Sequence, residues 1–482
     1  MARTGAEYLE ALRTRPPNLW YKGEKVLDPT THPVFRGITR TMAALYDLQH
    51  DPRHREVLTY EEDGKRHGTS FLIPKTKEDL MRRRRAYKLW ADQHLGMMGR
   101  SPDYLNAAVM AYAASADYFG EFAENVRNYY RYLRDHDLAT THALTNPQVN
   151  RAKPPSAQPD PYIPVGVVKQ TEKGIVVRGA RMTATFPLAD EVLIFPSTLL
   201  KEGPGSEKYA IAFALPTSTP GLHFVCREAL VGGESPFDHP LSSRLEEMDC
   251  LVVFDDVLVP WERVFILGNV ELCNNAYAAT GALHHMAHQV VALKTAKTEA
   301  FLGVAALMAE GIGADAYGHV QEKIAEIIVY LAMRAFWTRA EEEAKENAYG
   351  LLCPDRGALD GARNLYPRLY PRIREIIEQI GASGLITFPS ERDFKGPLGP
   401  FLEKFLQGAA LEAKERVALF RLAWDMTLSG FGARQELYER FFFGDPVRMY
   451  QTLYNVYDKE PYKERIRAFL KESLKVFEEV RA

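Results

Sequence analysis

The spacing of apolar residues changes twice along the 482-residue chain, and this change limits the folds that are open to it. Up to about residue 145, apolar residues recur at helical spacing. Residues 147–265 instead contain short runs rich in β-branched residues, separated by Gly, Pro, Ser and Asp, which is typical of an antiparallel β-domain. Helical spacing returns from about residue 270. This order predicts an α+β fold rather than alternating βαβ units, with domains at 1–145, 146–267 and 268–482, the last ending in a charged tail.

Local signals predict several individual helices. Thr76 and Asp79 have the spacing of a capping box, and Ser101-Pro102 suits the start of a second helix. A third helix is expected over 117–136. In the last part, helices are expected at 280–310, 317–348 and 401–430 and in the charged terminal segment, whereas the Pro-rich stretch 350–400 is expected to be mainly loop.

The composition excludes several classes of protein. Lys and Arg number 60 and Asp and Glu number 63, and the net charge of −3 argues against a nucleic-acid coat or a membrane-surface protein. Four scattered Cys without a CxxC pair make a disulfide framework, a zinc site or an iron–sulfur cluster unexpected. No Rossmann or P-loop motif follows a predicted strand. Without a secretory h-region or roughly 18 uninterrupted apolar residues, a soluble cytoplasmic protein is expected.

The segment GRSPDYLNA, residues 99–107, is a candidate anion site. Ser101 suits the N-cap and Pro102 the first helical position, so Arg100 would precede the helix and Tyr104 would lie in its first turn. A guanidinium, a phenol and the positive end of a helix dipole could then stabilise an oxyanion. The alternative is an ordinary capped helix whose Arg and Tyr face solvent.

The segment THALTNPQVNR, residues 141–151, joins the helical part to the β part, and domain junctions are favoured ligand sites. It contains His142, Gln148, Asn150 and Arg151. His142 could exchange a proton with a reacting hydroxyl near neutral pH. A single histidine is, however, more often partly buried and satisfied by its neighbours.

Three further segments offer polar groups. Thr183 and Thr185 alternate along a predicted strand and would share one face, and Ser197-Thr198 follows an apolar run. Residues 201–209 are rich in Gly, Pro and Ser and could form a lid, or a plain surface hairpin. Asp445 begins a predicted helix that would offer free N–H groups to a phosphate.

One histidine pair has the spacing of metal ligands. His284 and His288 are four residues apart on a predicted helix, but the Glu of the zincin motif is absent. We therefore expect core packing or subunit contacts there, and no metal site.

Taken together, GRSPDYLNA, THALTNPQVNR, RMTATFPLADEVLIFPS and FFFGDPVRMY resemble segments of one protein family. The family comprises the oxygenase components of two-component, reduced-flavin-dependent phenol hydroxylases, typified by 4-hydroxyphenylacetate 3-monooxygenase. The resemblance covers essentially the whole chain. It implies the acyl-CoA dehydrogenase fold, with an N-terminal helical domain, a middle antiparallel β-barrel and a C-terminal four-helix bundle, assembled as a homotetramer.

The resemblance also implies roles for individual residues. Arg100, Tyr104 and His142 match positions around the phenolic hydroxyl of the substrate, and Ser197 and Thr198 match positions that hold its carboxylate tail. The flavin-facing positions are matched by Gln148, Val149, Asn150, Arg151, Thr183, Thr185, Gly444, Asp445, Pro446 and Val447.

The implied reaction is ortho-hydroxylation of 4-hydroxyphenylacetate to 3,4-dihydroxyphenylacetate through a C4a-hydroperoxyflavin. O2 is the co-substrate, and a separate flavin reductase supplies FAD as FADH2, by transient contact or free diffusion. His142 would accept the phenolic proton while Arg100 stabilises the developing anion.

Other functions stay open at this point. A chlorophenol or nitrophenol monooxygenase of the same family is one alternative, and an acyl-CoA dehydrogenase of the same fold is another. A related 4-hydroxybutyryl-CoA dehydratase needs Cys ligands for an iron–sulfur cluster, and no Cys precedes residue 226. A non-enzymatic flavin-binding or structural helical protein would lack the site residues, which are all present.

Overall fold

A computed structural model describes residues 2–150, 152–183, 186–195, 200–233, 235–442 and 444–479. The helices are α1 Gly5–Thr14, α2 Arg36–Leu48, α3 Arg55–Leu58, α4 Lys77–Gln93, α5 Pro102–Ala114, α6 Ala123–His136, α7 Ser242–Leu245, α8 Val270–Ala279, α9 Ala282–Gly311, α10 Gly318–Tyr330, α11 Arg334–Glu342, α12 Arg356–Gly381, α13 Glu391–Lys395, α14 Gly399–Phe405, α15 Ala413–Thr427, α16 Gly430–Phe441, α17 Pro446–Val456 and α18 Glu460–Glu479. The strands are β1 Leu19–Tyr21, β2 Glu24–Lys25, β3 Thr59–Glu62, β4 Lys65–Gly68, β5 Thr140–Ala143, β6 Gly166–Thr171, β7 Gly174–Thr183, β8 Glu191–Ile194, β9 Ile211–Pro216, β10 Leu222–Cys226, β11 Cys250–Pro260, β12 Val264–Leu267, β13 Lys345–Glu346 and β14 Leu352–Cys353.

Local capping signals place the N-terminal helices well. The Thr76 hydroxyl accepts a hydrogen bond from the Asp79 amide, and the Asp79 carboxylate accepts one from the Thr76 amide, so the predicted capping box is confirmed. The helix expected over 117–136 begins only at Ala123. A 3-10 turn precedes it, and Gly120 has a φ of 55°, which an α-helix does not accommodate.

The middle part contains two packed sheets. Six strands lie in the order β2-β1-β10-β11-β7-β6, and four lie in the order β12-β9-β8-β5. Phe213 of β9 and Phe254 of β11 pack edge to face, with ring centroids 6.0 Å apart, so the sheets share a core. Among the described residues neither sheet closes on itself, which corrects the expectation of a single β-barrel.

Three short strands from before residue 146, β1, β2 and β5, belong to these sheets, and β2 pairs antiparallel with β1. β1 pairs parallel with β10, and β5 pairs parallel with β8, with His142 opposite Leu193. Strands of three and four residues show too little alternation to be recognised from sequence. The sheets are therefore mainly antiparallel, and the N-terminal part is joined to the middle part through them.

Helix α12 corrects the expectation that 350–400 is mainly loop. It contains Pro367 and Pro371, which we read as helix breakers. Tyr366, Tyr370, Ile373 and Ile377 nevertheless recur at helical spacing and are buried. Tyr370 packs edge to face against Phe301 of α9, with ring centroids 5.6 Å apart, so tertiary packing holds the helix despite the prolines.

Helix α9 joins the C-terminal helices to the rest of the molecule. It packs against α12, α10, α11 and α15, and also against α4 and α5 of the N-terminal part. The mixed α+β class is therefore confirmed, with the longest helix shared between two of its parts. Within the described ranges, we find no helix whose length and apolar content would let it cross a bilayer.

Candidate active site

Arg100 lies two residues before the start of α5 and is buried, with 5% of its surface exposed. The amides of Gly99 and Arg100 donate hydrogen bonds of 2.9 and 2.8 Å to the Glu247 carboxylate, which fixes the backbone at this point. The guanidinium carbon lies 4.3 Å from the centroid of the Tyr104 ring, and one terminal nitrogen donates to the phenolic oxygen of Tyr438. Nε has no partner among the described residues.

The start of α5 matches the sequence prediction except in its capping contact. The helix begins at Pro102, but the Ser101 hydroxyl donates to Asp103 instead of capping the helix. Burial raises the pKa of Asp103 to about 6. Arg100 and Tyr104 are both buried, so the alternative of an ordinary helix start facing solvent is wrong.

His142 reaches the same place from strand β5. Its ring centroid lies 6.0 Å from that of Tyr104, and it is almost fully buried. Burial, and then the nearby charge of Arg100, hold the pKa of His142 well below its usual value, so the imidazole is neutral at pH 7. Its Nδ1 has no hydrogen-bond partner among the described residues. The structure thus brings Arg100, Tyr104 and His142 together at one buried place.

Aromatic side chains surround this trio, and no sequence motif pointed to them. Tyr112 stacks on Phe195 with ring centroids 5.1 Å apart, and Tyr277 of α8 lies 5.6 Å from Phe195 and 6.0 Å from Tyr112. We call Tyr112, Phe195 and Tyr277 the aromatic wall. Tyr104 and all three residues of the wall belong to one buried hydrophobic cluster, so the wall adjoins the trio. Since these rings come from three separate elements, no local pattern could have grouped them.

Tyr438 could not be predicted as a site residue either, because it comes from an element that is distant in the chain from Arg100. It lies on α16, stacks on Phe442 and holds the Arg100 side chain. Behind it, Lys294 lies 5.2 Å from the Tyr438 ring centroid and donates a 2.7 Å hydrogen bond to buried Glu439. Burial lowers the pKa of Lys294 to about 7. These contacts fix α16 against α9 and hence fix the phenol group that Arg100 meets.

Several residues that are predicted to face the flavin lie in segments next to the strand that carries His142. Gln148, Val149 and Asn150 follow β5, and Thr183 ends β7. The chain after β5 and the end of β7 are adjacent, because the Met182 amide donates a 2.7 Å hydrogen bond to the Thr145 carbonyl. Four other predicted residues, Arg151, Thr185, Ser197 and Thr198, lie outside the described part of the chain.

The segment Gly444–Val447 begins α17, close along the chain to Tyr438. The Asp445 carboxylate accepts hydrogen bonds of 2.7 and 3.3 Å from the amides of Val447 and Arg448. The expectation of free N–H groups for a phosphate is therefore wrong at these two amides, because the cap already satisfies them. Val447 itself is 65% exposed.

Residues 201–209 are exposed in their first half and anchored in their second. The Tyr209 hydroxyl donates a 2.7 Å hydrogen bond to the Pro161 carbonyl, and Ser206 is buried. Before the segment, the Asn274 side chain bonds both the amide and the carbonyl of Leu200. A moving lid stays a prediction, and these contacts confine any movement to residues 201–205.

The histidine pair on α9 is structural. His288 is fully buried, with Nε2 2.8 Å from the Glu341 carboxylate, and Nδ1 of His284 lies 3.0 Å from the Pro354 carbonyl. The described residues contain no group of three or more His, Cys, Asp or Glu side chains placed to hold a metal ion.

Two sequence models of one family together match nearly the whole chain. The model described as 4-hydroxyphenylacetate 3-hydroxylase N terminal matches residues 4–266, and the corresponding C-terminal model matches residues 273–471. The chain is 93% identical to the 4-hydroxyphenylacetate 3-monooxygenase oxygenase component of Thermus thermophilus, with 100% of each chain covered.

Solved structures agree with this assignment. The oxygenase component of 4-hydroxyphenylacetate 3-monooxygenase, complexed with FAD and 4-hydroxyphenylacetate, is 92% identical and has a TM-score of 0.96, covering 99% of this chain and 100% of that one. An archaeal 4-hydroxybutyryl-CoA dehydratase from N. maritimus shares the fold at 21% identity, with a TM-score of 0.88 over 98% of this chain and 95% of that one. The chain belongs to the 4-hydroxyphenylacetate 3-hydroxylase family.

Proposed function

We propose that this protein is the oxygenase component of a 4-hydroxyphenylacetate 3-monooxygenase. It inserts one oxygen atom from O2 at the ring carbon next to the phenolic hydroxyl and releases 3,4-dihydroxyphenylacetate. The observation that carries this proposal is that the side chains of Arg100, Tyr104 and a neutral His142 lie close together in a buried cluster. This arrangement suits a phenol that must become electron-rich before its ring carbon attacks an electrophilic oxygen.

His142 is the base in this proposal. A free phenol has a pKa of about 10, so it keeps its proton at pH 7 unless a neighbour accepts that proton. The neutral imidazole can accept it at Nδ1, which no other described residue engages. A positioned general base of this kind contributes roughly 10²–10⁴-fold to a rate.

Arg100 stabilises the anion that forms. Its guanidinium is buried and oriented by the Tyr104 ring and the Tyr438 hydroxyl. A fixed positive charge in a site of low dielectric stabilises developing negative charge far more than the same charge in water. Arg100 and His142 therefore act on the same oxygen, one by charge and one by proton transfer.

Reduced FAD, when bound, supplies the chemistry that activates O2. The residues present fit this group, because Val149 and Val447 are apolar side chains that are 55% and 65% exposed. Val149 lies between Gln148 and Asn150 in the chain, and the amide side chains of these two residues can bond the polar edge of a flavin. We propose that the cofactor is held by ten residues of these segments: Gln148, Val149, Asn150, Arg151, Thr183, Thr185, Gly444, Asp445, Pro446 and Val447.

The carboxylate tail of the substrate is assigned to Ser197 and Thr198. The chain on either side of this pair, at Phe195 and Leu200, packs in the same hydrophobic cluster as Tyr277. The tail would then lie along the aromatic wall. Closure of residues 201–205 over the site would keep water away from the reacting oxygen.

The remaining expectations concern assembly and location. We propose a cytoplasmic homotetramer that receives FADH2 from a separate reductase by transient contact or diffusion. In support of assembly, four large side chains on the C-terminal helices, Phe401, Phe405, Phe441 and Phe469, are more than half exposed. The predicted four-helix bundle would comprise α9, α10, α12 and α15. We keep the domain limits 1–145, 146–267 and 268–482.

A product assay with several phenols tests the proposed function. The purified protein receives FADH2 from an unrelated flavin reductase together with 4-hydroxyphenylacetate, 4-chlorophenol or 4-nitrophenol. We expect 3,4-dihydroxyphenylacetate as the main product and lower kcat/KM for the two neutral-tailed phenols. A preference for chlorophenol or nitrophenol would contradict the substrate assignment, and absence of any catechol would contradict the reaction.

A further inference from the structure

Within the described part of the chain, Arg181 is a buried cation without an anion beside it. It lies on β7 with 2% of its surface exposed. Among the described residues its one hydrogen bond is a 3.0 Å contact from a terminal nitrogen to the Leu144 carbonyl, and its Nε has no partner. Arg178, three residues earlier, instead points outward and forms a bidentate pair with Asp256.

Such an arrangement is unfavourable unless a ligand completes it. Burial lowers the pKa of Arg181 to about 10, so the guanidinium still carries its charge at pH 7. A buried charge normally has a charged partner and satisfied hydrogen bonds. The buried Arg3 and Arg434 follow this rule, with Asp190 and Asp249 as their partners. Buried Arg83 has no acidic partner among the described residues, but its Nε and both terminal nitrogens are bonded to the Tyr87 hydroxyl and the Leu72 carbonyl, whereas Nε of Arg181 is left unbonded. Arg181 is buried, charged and incompletely hydrogen-bonded, and these are the properties of a side chain that binds a small anion.

The location of Arg181 identifies the anion. The alternation of β7 places Arg181 on the same face as Thr183, and its carbonyl partner Leu144 follows His142 by two residues. Burial raises the pKa of Cys273 to about 12, and the positive charge of Arg181 offsets part of this effect. Cys273 lies on α8 one turn before Tyr277 of the aromatic wall.

The Leu144 carbonyl that Arg181 bonds follows His142 of the trio by two residues, a span of about 7 Å along an extended chain. Arg100 stands with Tyr104 and His142 at one end of that span, and Arg181 is bonded at the other. A para-substituted phenol carries its hydroxyl and its tail at opposite ends of the ring, and this spacing suits one cation at each end.

We propose that Arg181 supplies the positive charge that pairs with the carboxylate of the substrate, in addition to the neutral donors assigned above, and so selects phenols with a short anionic para substituent. This assignment rests on the proposed function. A carboxylate that enters an aromatic, water-poor site loses its hydration, and a charge-assisted pair with a guanidinium replaces it. The flavin is the alternative anion, because Thr183 on the same face of β7 is assigned to it. The substrate carboxylate is favoured because Val149 and Val447, which are also assigned to the flavin, are exposed, whereas Arg181 is enclosed.

Binding of a matched pair of ligands tests the assignment. The ligands are 4-hydroxyphenylacetate and its neutral amide, 4-hydroxyphenylacetamide, titrated by calorimetry into protein holding FADH2 under anaerobic conditions. We expect Arg181→Met to weaken binding of the acid roughly 10- to 100-fold, the range of a charge-assisted hydrogen bond, and to leave binding of the amide nearly unchanged. Arg181→Lys should recover part of the lost affinity.

Controls separate this effect from others. Arg178→Met removes a positive charge from the outer face of the same strand and should leave both affinities unchanged. Arg181→Met should fold, because replacing an unpaired buried charge by an apolar side chain is often neutral or stabilising. Its thermal unfolding checks this, and Arg181→Gln offers a second neutral variant if it does not fold.

Four results would overturn the assignment, the last of them together with the proposed function. Equal weakening of acid and amide would indicate a general structural role, and loss of FADH2 affinity with unchanged acid affinity would indicate the flavin as the anion. Unchanged acid affinity in both neutral variants would exclude Arg181 from the substrate site. If the wild type bound neither acid nor amide, the proposed function itself would fail together with the assignment.

Discussion

Arg100 donates a hydrogen bond to the phenolic oxygen of Tyr438, although the two residues are 338 positions apart in the chain. The contact joins the start of α5 to α16, so the C-terminal helices determine where the N-terminal guanidinium points. Tyr438 also stacks on Phe442, which precedes the segment assigned to the flavin. One side chain thus connects the region assigned to the substrate with the region assigned to the cofactor.

Tyr438→Phe should lower hydroxylation without unfolding the protein. The ring and its stacking stay, while Arg100 loses an acceptor and its orientation. We expect kcat/KM for 4-hydroxyphenylacetate to fall roughly 10- to 100-fold, the range for losing one hydrogen bond to a charged group. The matched control is Tyr370→Phe, which removes another buried hydroxyl, one without a partner in the described structure. Similar losses in both variants would contradict a positioning role.

Arg100→Met should reduce hydroxylation more strongly, since it removes the charge itself. Losing one preorganised stabilising group from an active site typically lowers kcat by about 10²–10³-fold. The fold should persist, because Glu247 keeps its hydrogen bonds from the amides of Gly99 and residue 100. Circular dichroism checks the fold, and product yield per FADH2 checks the chemistry. Unchanged substrate affinity and unchanged yield would argue against the role of Arg100.

Glu439→Gln should destabilise the protein by about 3–5 kcal/mol, because two buried lysines lose their counter-ion and must either give up a proton or stay buried as unpaired charges. Glu439 is fully buried and pairs with Lys294 and Lys297. Denaturant unfolding measures the change. The control is Glu343→Gln in the exposed pair with Arg339, for which a loss below about 1 kcal/mol is expected. Equal effects of the two substitutions would contradict this account of the buried cluster.

His94 should make stability fall with decreasing pH. Burial, and then the charge of Lys297, lower its pKa to about 3, whereas an unfolded histidine titrates near 6.5. Between these values the unfolded state binds a proton that the folded state does not, so stability present above pH 6.5 is lost as the pH falls. At pH 5 the loss from this residue is about 2 kcal/mol.

Unfolding free energies at pH 7.5 and pH 5 isolate this effect of His94. The pH-dependent loss in the wild type should exceed the loss in His94→Gln by that amount. His136→Gln, at an exposed position, should show the wild-type dependence. Identical pH dependence in His94→Gln and the wild type would rule out a buried neutral His94 as the source.

Features encoded by neighbouring residues can be predicted from sequence. The capping box at Thr76 and the helix start at Pro102 depend on residues within one turn, and the sequence places both at the correct position. Helix α12 escapes prediction because Pro367 and Pro371 dominate its local pattern, whereas its stability comes from packing against α9. Contacts that only the folded chain reveals outweigh the two prolines.

The candidate site shows the same division. Arg100 and Tyr104 share one segment, and His142 stands at a predicted junction, so these three could be named from sequence. Tyr438, the aromatic wall and Arg181 reach the site from distant elements, and each looks like an ordinary core or strand residue by itself. The parallel pairing of β5 with β8, which places His142, also joins segments that are far apart in the chain.

The central claim is that neutral His142 accepts the phenolic proton, and a single-turnover experiment tests it most directly. Wild-type protein and His142→Gln are loaded anaerobically with FADH2 and 4-hydroxyphenylacetate and then mixed with O2, and both 3,4-dihydroxyphenylacetate and hydrogen peroxide are quantified. We predict that the wild type forms mainly the hydroxylated product. The variant should bind FADH2 normally, hydroxylate roughly 10²–10⁴ times more slowly and release hydrogen peroxide instead. Equal yields of 3,4-dihydroxyphenylacetate from the two proteins would contradict the claim.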